Sequence, residues 1–143
     1  MNNYKNNLIT VLGHTAAGKT GFAVKLAYKL ESEIISADSR QVYRGMDIGT
    51  GKDLDEYNIE GKQVPYHIID ILPAGAKYNV FEFQKDFFSA FDKISSKNKI
   101  PIMCGGTGMY IESVLNAYKL IHVPVNESLH EELQLLDIKK LAK

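Results

Sequence analysis

The sequence lacks the features that mark cross-linked, membrane-spanning or strongly charged proteins. Its single cysteine, Cys104, excludes an internal disulfide and fits a reducing compartment. We find no apolar run near the roughly 18 residues that a membrane span needs, and no charged-then-apolar leader. Seventeen Lys and Arg balance seventeen Asp and Glu, which excludes a global positive field but leaves a local basic face open. We expect a cytoplasmic protein without a membrane partner, with a monomer as the working expectation.

What the chain contains is sufficient for one folded domain with a buried core. Hydrophobic residues make up 45% of the 143 residues and charged residues 24%, as in ordinary globular proteins. The predicted strands are residues 8–12, 33–37, 64–71 and 100–103, and the predicted helices are residues 19–30, 80–96 and 109–117. Strands that alternate with helices predict an α/β fold: a P-loop NTPase-like, doubly wound parallel sheet flanked by helices.

Two segments fit this pattern less well. Residues 44–62 are rich in Gly, Asp and Lys without a sustained period, which predicts a loop or small excursion across the active face. After Pro124, residues 127–143 carry leucines among many charges, which fits either one more amphipathic helix or the first piece of a further domain. We therefore expect a P-loop catalytic core at residues 1–122, and at residues 123–143 the start of a truncated C-terminal helical region.

A glycine-rich loop with the spacing G-x-x-x-x-G-K-T follows the first apolar run. In such a loop the glycines let successive backbone N–H groups point at one anion, at the positive end of the following helix. Lys19 is expected to reach the terminal phosphate oxygens, and the Thr20 hydroxyl to ligate Mg²⁺, partly through water. The predicted diphosphate- or nucleotide-binding residues are Gly13, His14, Thr15, Ala16, Ala17, Gly18, Lys19 and Thr20. The sequence thus predicts that the chain binds a di- or triphosphate.

Three further motifs narrow the chemistry: D-S-R-Q-V-Y at residues 38–43, M-D-I-G-T at 46–50 and G-G-T-G-M-Y at 105–110. Together with the loop, and in this order and spacing, they resemble the tRNA dimethylallyltransferases, also called tRNA isopentenyltransferases, from about Ile9 to Ala117. The resemblance implies transfer of a dimethylallyl group from dimethylallyl diphosphate to N6 of the adenine next to the tRNA anticodon. Dimethylallyl diphosphate, tRNA and Mg²⁺ are therefore the expected partners.

The resemblance also implies roles for single residues. A loop of backbone donors, Lys19 and a Mg²⁺ near Thr20 suit the charge that develops on a leaving diphosphate. The attacking adenine amine must lose a proton, so a carboxylate at the sheet edge is the expected base, and the family motif assigns that role to Asp38. Thr107 resembles the family's threonine near the bridging oxygen of the donor. The implied catalytic residues are Asp38, Thr107 and Lys19, and the implied tRNA-binding residues are Asp38, Ser39, Arg40 and Gln41.

Several of these residues have simpler interpretations. Asp38 could form an Asx turn, or it could contact only the ligands of a metal and not the metal itself. Thr107 could merely shape the turn between two glycines. Asp70 could touch the metal, although a helix cap or a surface acid is the simpler reading. Cys104 is most simply a buried small hydrophobe, and the phenylalanines at 83, 87 and 91 are expected in the core.

The sequence also departs from its relatives. His14 stands where the family commonly has proline, and Gly51 where alanine is common. Relatives continue well past the second glycine loop, and tRNA binding usually needs several Lys/Arg contacts to phosphates. We therefore expect this chain, taken alone, to bind a phosphorylated ligand but to turn over tRNA poorly or not at all. The alternatives are a small-molecule P-loop kinase that uses ATP, an isopentenyltransferase acting on free adenine nucleotides, and an inactive nucleotide-binding remnant.

Overall fold

Four parallel strands form the predicted sheet in the computed structural model, which describes residues 7–141. In order across the sheet they are β1 (Ile9–Leu12), β6 (Ile102–Gly105), β2 (Ile34–Ala37) and β5 (Tyr66–His67). A separate antiparallel hairpin consists of β3 (Asn58–Ile59) and β4 (Lys62–Gln63). The helices are α1 (Lys19–Lys29), α2 (Val80–Ser95), α3 (Gly108–Leu115), α4 (Glu127–Gln134) and α5 (Ile138–Leu141).

The register of the sheet brings the carboxyl ends of its central strands to one level. Gly105 at the end of β6 stands opposite Leu12, the last residue of β1, and opposite Ala37, the last residue of β2. In an open parallel sheet, ligands bind outside the carboxyl ends of the strands. The loops that follow β1, β2 and β6 therefore meet at the edge where a ligand is expected.

Helices cover both faces of the sheet. One face packs against α1 and holds a buried cluster that includes Ala23, Val24, Ala27, Ile34 and Ile102. The other face packs against α2 and α3 and holds a second cluster that includes Ile35, Phe83, Phe87, Met103, Tyr110 and Ile111. The predicted α/β fold, a doubly wound parallel sheet flanked by helices, is therefore confirmed.

Helix α2 begins where its capping pair predicts. The Asn79 side chain accepts hydrogen bonds from the backbone N–H groups of Phe81 and Glu82, at 2.9 and 3.1 Å. The Glu82 carboxylate accepts one in return from the backbone N–H of Asn79, at 2.9 Å. This reciprocal box satisfies N–H groups that the first turn of a helix leaves unpaired. Phe83 and Phe87 are buried below it, as predicted.

The predicted strand at residues 64–71 is wrong for most of its length. Only Tyr66–His67 pairs with β2. Ile68 and Asp70 have φ values of 62° and 55°, in the left-handed region, so the chain turns after two paired residues. It then runs beside the segment after β2, where Leu72 forms an isolated parallel bridge with Tyr43. The strand predicted at 100–103 lies two residues later, at Ile102–Gly105.

The two less regular segments contain more structure than the sequence pattern indicates. Within residues 44–62 a 3₁₀ turn, Leu54–Tyr57, leads into the β3–β4 hairpin. At 127–143 the chain forms two short helices, α4 and α5, so a single amphipathic helix is wrong. Leu135 and Ile138, at the break between them, are 87% and 84% exposed. Residues 142 and 143 lie outside the described part, and the division at residue 122 stays a prediction.

Within residues 7–141, no helix combines the length and the apolar character that crossing a membrane requires.

A buried carboxylate, Glu33, ties together the edge of the sheet opposite the ligand edge. It precedes β2, is 3% exposed, and accepts hydrogen bonds from Lys97 Nζ at 2.6 Å and His67 Nε2 at 2.9 Å. Burial alone would raise the pKa of Glu33, but the hydrogen bonds from Lys97 and His67 outweigh burial and lower the pKa to about 2.

We expect Glu33→Gln to lower the free energy of unfolding at pH 7 by on the order of 2 kcal/mol, because it removes the charge that both partners face. The folded pKa lies below the ordinary value of 4.5. The stabilisation from Glu33 is therefore fully present above about pH 4.5 and is lost as the pH falls toward 2. Urea unfolding at several pH values measures this, with the exposed Glu131→Gln as the control. Equal acid sensitivity in Glu33→Gln and wild type would contradict it.

Candidate functional site

The glycine loop joins β1 to α1 and places Lys19 and Thr20 in the first turn of that helix. Gly18 precedes α1 in the left-handed conformation, with φ 73°, and Ala16 has φ 61°. The Lys19 ammonium folds back and donates a hydrogen bond to the carbonyl oxygen of His14 at 2.5 Å. The loop therefore curls around its own lysine, at the positive end of α1, which is the geometry that favours anion binding.

A cleft of about 320 Å³ opens between this loop and the loops that follow β2 and β6. Predicted site residues that line it are Thr15, Ala16, Lys19, Thr20, Asp38, Ser39, Arg40, Gln41 and Thr107. Gly13, Ala17 and Gly18 instead face a shallow depression on the other side of the loop, and His14 is exposed. The fold thus brings most of the predicted site residues to one cleft. Their chemical roles stay predictions.

The loops after β2 and β6 are joined by direct contacts. A Cβ added at Gly105 would overlap the Ala37 carbonyl group, so the close approach of the two strands requires glycine there. Beyond it, the backbone N–H of Thr107 donates to the Ala37 carbonyl oxygen at 3.1 Å. The Thr107 hydroxyl oxygen accepts a hydrogen bond from the backbone N–H of Ser39 at 3.0 Å. Thr107 therefore holds both loops together at the cleft.

Asp38 both forms an Asx turn and lies at the cleft, where the expected base is needed. Its Oδ1 accepts a hydrogen bond from the backbone N–H of Arg40 at 2.9 Å, which is an Asx turn, and lies 3.8 Å from Arg40 Nε. Asp38 also lines the cleft that Lys19 and Thr20 enter. The turn fixes the carboxylate at the end of β2, so the same contact that shapes the loop orients the expected base.

Gln41 is more enclosed than a residue expected to meet a large substrate. It is 8% exposed, its Oε1 accepts from the Ser36 hydroxyl at 2.8 Å, and its Nε2 donates to the Gly51 carbonyl oxygen at 3.2 Å. Gln41 therefore ties the segment containing Gly49, Thr50 and Gly51 to the sheet as one wall of the cleft.

The same wall depends on a buried lysine that the sequence reasoning missed. Lys52 is 8% exposed, and its ammonium donates to the Tyr43 carbonyl oxygen at 2.7 Å, to Asp47 Oδ1 at 3.1 Å and to Asp70 Oδ1 at 2.5 Å. Burial alone would lower the pKa of Lys52, but the hydrogen bonds to Asp70 and Asp47 outweigh it and raise the pKa. Asp70 is thus the ion-pair partner of Lys52 and does not cap a helix, since the next helix, α2, has Asn79 as its N-cap.

The floor of the cleft is less polar than its walls. Cys104 lies there, 7% exposed, and burial raises the pKa of its thiol to about 11, so it is a neutral small side chain, as predicted. Tyr57, at the end of the 3₁₀ turn, also lines the cleft and is 4% exposed. The sequence reasoning gave no role to Tyr57, because no motif or period marks that position.

No cluster of three or more His, Cys, Asp or Glu side chains suited to a metal ion occurs among residues 7–141. Mg²⁺ in phosphate-transfer sites is commonly held by one or two protein oxygens, substrate phosphates and water. Thr20 and Asp38 line one cleft with the glycine loop, and this oxygen set fits an ion that arrives with a phosphorylated ligand.

The comparisons with known proteins identify a family for this chain. The IPP transferase (IPPT) family matches residues 41–143. The chain is 65% identical over 136 residues to tRNA dimethylallyltransferase 1 of Azobacteroides pseudotrichonymphae, covering 95% of this chain and 44% of that protein. The solved full-length tRNA isopentenylpyrophosphate transferase of Bacillus halodurans aligns with a TM-score of 0.75 at 38% identity, over 90% of this chain and 42% of that one.

A eukaryotic dimethylallyltransferase solved while acting on tRNA aligns with a TM-score of 0.74 at 28% identity, over 92% of this chain and 33% of that one. The fold and site are those of an α/β protein in which a glycine loop at the start of a helix and a carboxylate line one cleft. Within that class, the chain belongs to the IPP transferase family. It spans less than half of the length of the relatives it matches.

We expect Lys52→Met to lower the free energy of unfolding by about 2 kcal/mol, because it leaves Asp70 and the Tyr43 carbonyl without their buried partner. Urea unfolding of the purified chain measures this. Lys85→Met, at an exposed lysine on α2, is the matched control and should change stability by less than about 0.5 kcal/mol. If both variants unfold alike, Lys52 does not anchor the wall.

Proposed function

We propose that this chain carries the donor-binding and catalytic part of a tRNA dimethylallyltransferase. One observation supports this most directly: residues of the glycine loop and Asp38 line a single cleft. An anion site opposite a carboxylate suits a reaction in which diphosphate leaves while a nucleophile loses a proton. Membership of the IPP transferase family, together with the names of the relatives, supports a prenyl donor and a tRNA acceptor.

In the proposed reaction, the glycine loop and Lys19 bind the diphosphate of dimethylallyl diphosphate. The bond between the first dimethylallyl carbon and the bridging oxygen breaks, and its electron pair stays on the leaving diphosphate. A new bond forms from adenine N6 to that carbon, and Asp38 accepts the N6 proton. The Thr20 hydroxyl would hold a Mg²⁺ ion, which would supply positive charge to the phosphate oxygens. Thr107 is proposed beside the bridging oxygen, where its position between the two loops supports this role.

The tRNA is proposed to approach the cleft from the side of Ser39, Arg40 and Gln41. Arg40 is the exposed member of this group, with 56% of its side chain accessible, and Gln41 is held in the wall. The chain has no net charge, and tRNA binding usually depends on several phosphate contacts. Binding of tRNA to this portion alone is therefore expected to be weak.

A cytoplasmic setting is part of the proposal, supported by the buried, unpaired Cys104.

The first test is calorimetric titration of the chain with dimethylallyl diphosphate and, separately, ATP, each with Mg²⁺. We expect the prenyl diphosphate to bind more tightly, and Lys19→Ala to weaken it at least roughly tenfold, because the lysine supplies a charge-assisted contact to the phosphates. Lys85→Ala, outside the cleft, should bind as wild type does. Tighter binding of ATP would replace the proposal with a kinase or a nucleotide-binding remnant.

The second test addresses the base. Asp38→Asn keeps the shape of the side chain and its Asx turn but removes the proton acceptor, so we expect single-turnover prenylation of an anticodon stem-loop to slow by roughly 10²- to 10⁴-fold. Binding of dimethylallyl diphosphate should stay within about threefold of wild type. Asp92→Asn, on the exposed surface of α2, is the control. An Asp38→Asn variant of normal rate would remove Asp38 from the mechanism.

A further inference from the structure

Tyr57 is packed at the cleft by contacts of its backbone and its ring. Its carbonyl oxygen accepts a hydrogen bond from the backbone N–H of Val64 at 2.7 Å. Its ring meets the ring of Tyr66 edge-on, with the centroids 4.8 Å apart, and belongs to the buried cluster that includes Ala23 and Cys104. The side chain therefore has one fixed position, at which it contributes to the lining of the cleft.

The hydroxyl of Tyr57 stands out because its environment is enclosed and yet supplies no partner. Tyr28 and Tyr78 donate to the carboxylates of Glu60 and Asp86, at 3.1 and 2.9 Å. For the Tyr57 hydroxyl, residues 7–141 provide no such hydrogen bond, although the side chain is only 4% exposed. In this part of the chain the sole fully enclosed side-chain polar atom without a partner is Ser95 Oγ. The Tyr57 hydroxyl thus keeps some access to solvent, and the opening that its side chain lines is the cleft.

The surroundings indicate what kind of group could pair with this hydroxyl. The 3₁₀ turn that ends at Tyr57 packs against the first turn of α1, where the Glu56 carboxylate lies 3.8 Å from the position of a Cβ at Gly21. Lys19 and Thr20, in the same turn of α1, line the cleft with Tyr57. The pKa of Tyr57 is raised, mainly by burial and further by the neighbouring Cys104 and Glu56. The hydroxyl therefore keeps its proton at neutral pH and can donate a hydrogen bond. A donor beside an anion loop suits a phosphate oxygen.

We propose that the Tyr57 hydroxyl donates a hydrogen bond to a phosphate oxygen of the diphosphate that the glycine loop binds. This inference rests on the proposed function insofar as the loop must hold a diphosphate. It adds a side-chain donor from outside the glycine loop, carried by the 3₁₀ turn that brings Tyr57 to the lining of the cleft. Tyr57 is therefore a ligand-binding residue, and its unpaired state in the protein alone is explained by the partner that the ligand brings.

The test removes the hydroxyl alone. We expect Tyr57→Phe to weaken the binding of inorganic pyrophosphate with Mg²⁺ roughly tenfold in calorimetry, as for the loss of one hydrogen bond to a charged acceptor. Its melting temperature without ligand should stay within about 1 °C of wild type, because the hydroxyl has no partner in the described protein to lose. Tyr66→Phe is the matched control, since Tyr66 touches the same ring but does not line the cleft; its affinity should equal that of wild type.

The outcomes separate the two proposals. If the wild-type chain binds pyrophosphate and Tyr57→Phe binds it with the same affinity, the role of Tyr57 is overturned and the proposed function stands. No binding of pyrophosphate by the wild-type chain would overturn both. A Tyr57→Phe variant whose melting temperature falls together with its affinity would assign the hydroxyl to folding and overturn the inference as well.

Discussion

The close approach of β2 and β6 at their carboxyl ends is the constraint on which the site depends. Because a side chain at residue 105 would overlap the Ala37 carbonyl group, the two strands can end side by side only with glycine at that position. The Ala37 carbonyl then accepts from the backbone of Thr107, and the Thr107 hydroxyl accepts from Ser39. One small residue thus fixes the distance between the loop that carries the expected base and the loop that carries Thr107.

A buried, paired charge lies near each edge of the sheet. Burial of each charge is tolerated because partners of opposite charge surround it. Glu33 faces Lys97 and His67 at one edge, and Lys52 faces Asp70 and Asp47 near the other. An unpaired charge in either place would be costly, so these pairs commit the chain to one arrangement of its loops. The pair at Lys52 acts on a cleft wall, whereas the pair at Glu33 acts on the sheet alone.

Local signals predicted the parts of the fold that local forces decide. The loop spacing predicted the turn into α1, and the pair of Asn79 and Glu82 predicted the start of α2. The turn at Ile68 escaped prediction, since a left-handed β-branched residue goes against the preference of its own type. Lys52 and Tyr57 also escaped, because their burial comes from contacts with Asp70 and Cys104, distant in sequence. Motifs identify the residues of a loop, while packing decides which others line the cleft.

In the proposed function, the distribution of charge in the cleft suits binding of the diphosphate donor and not binding of the tRNA backbone. The cations among the cleft residues of the described chain are Lys19 and Arg40, and the first of these belongs to the glycine loop. An anion site of one loop and one lysine matches a single diphosphate, whereas an RNA backbone presents charges spaced along its length. The relatives are more than twice as long as this chain, and we infer that their additional length supplies the contacts that select and hold tRNA. In the proposed function, donor recognition would then belong to the portion with the cleft, because that task needs only a few hydrogen-bond donors placed around one diphosphate.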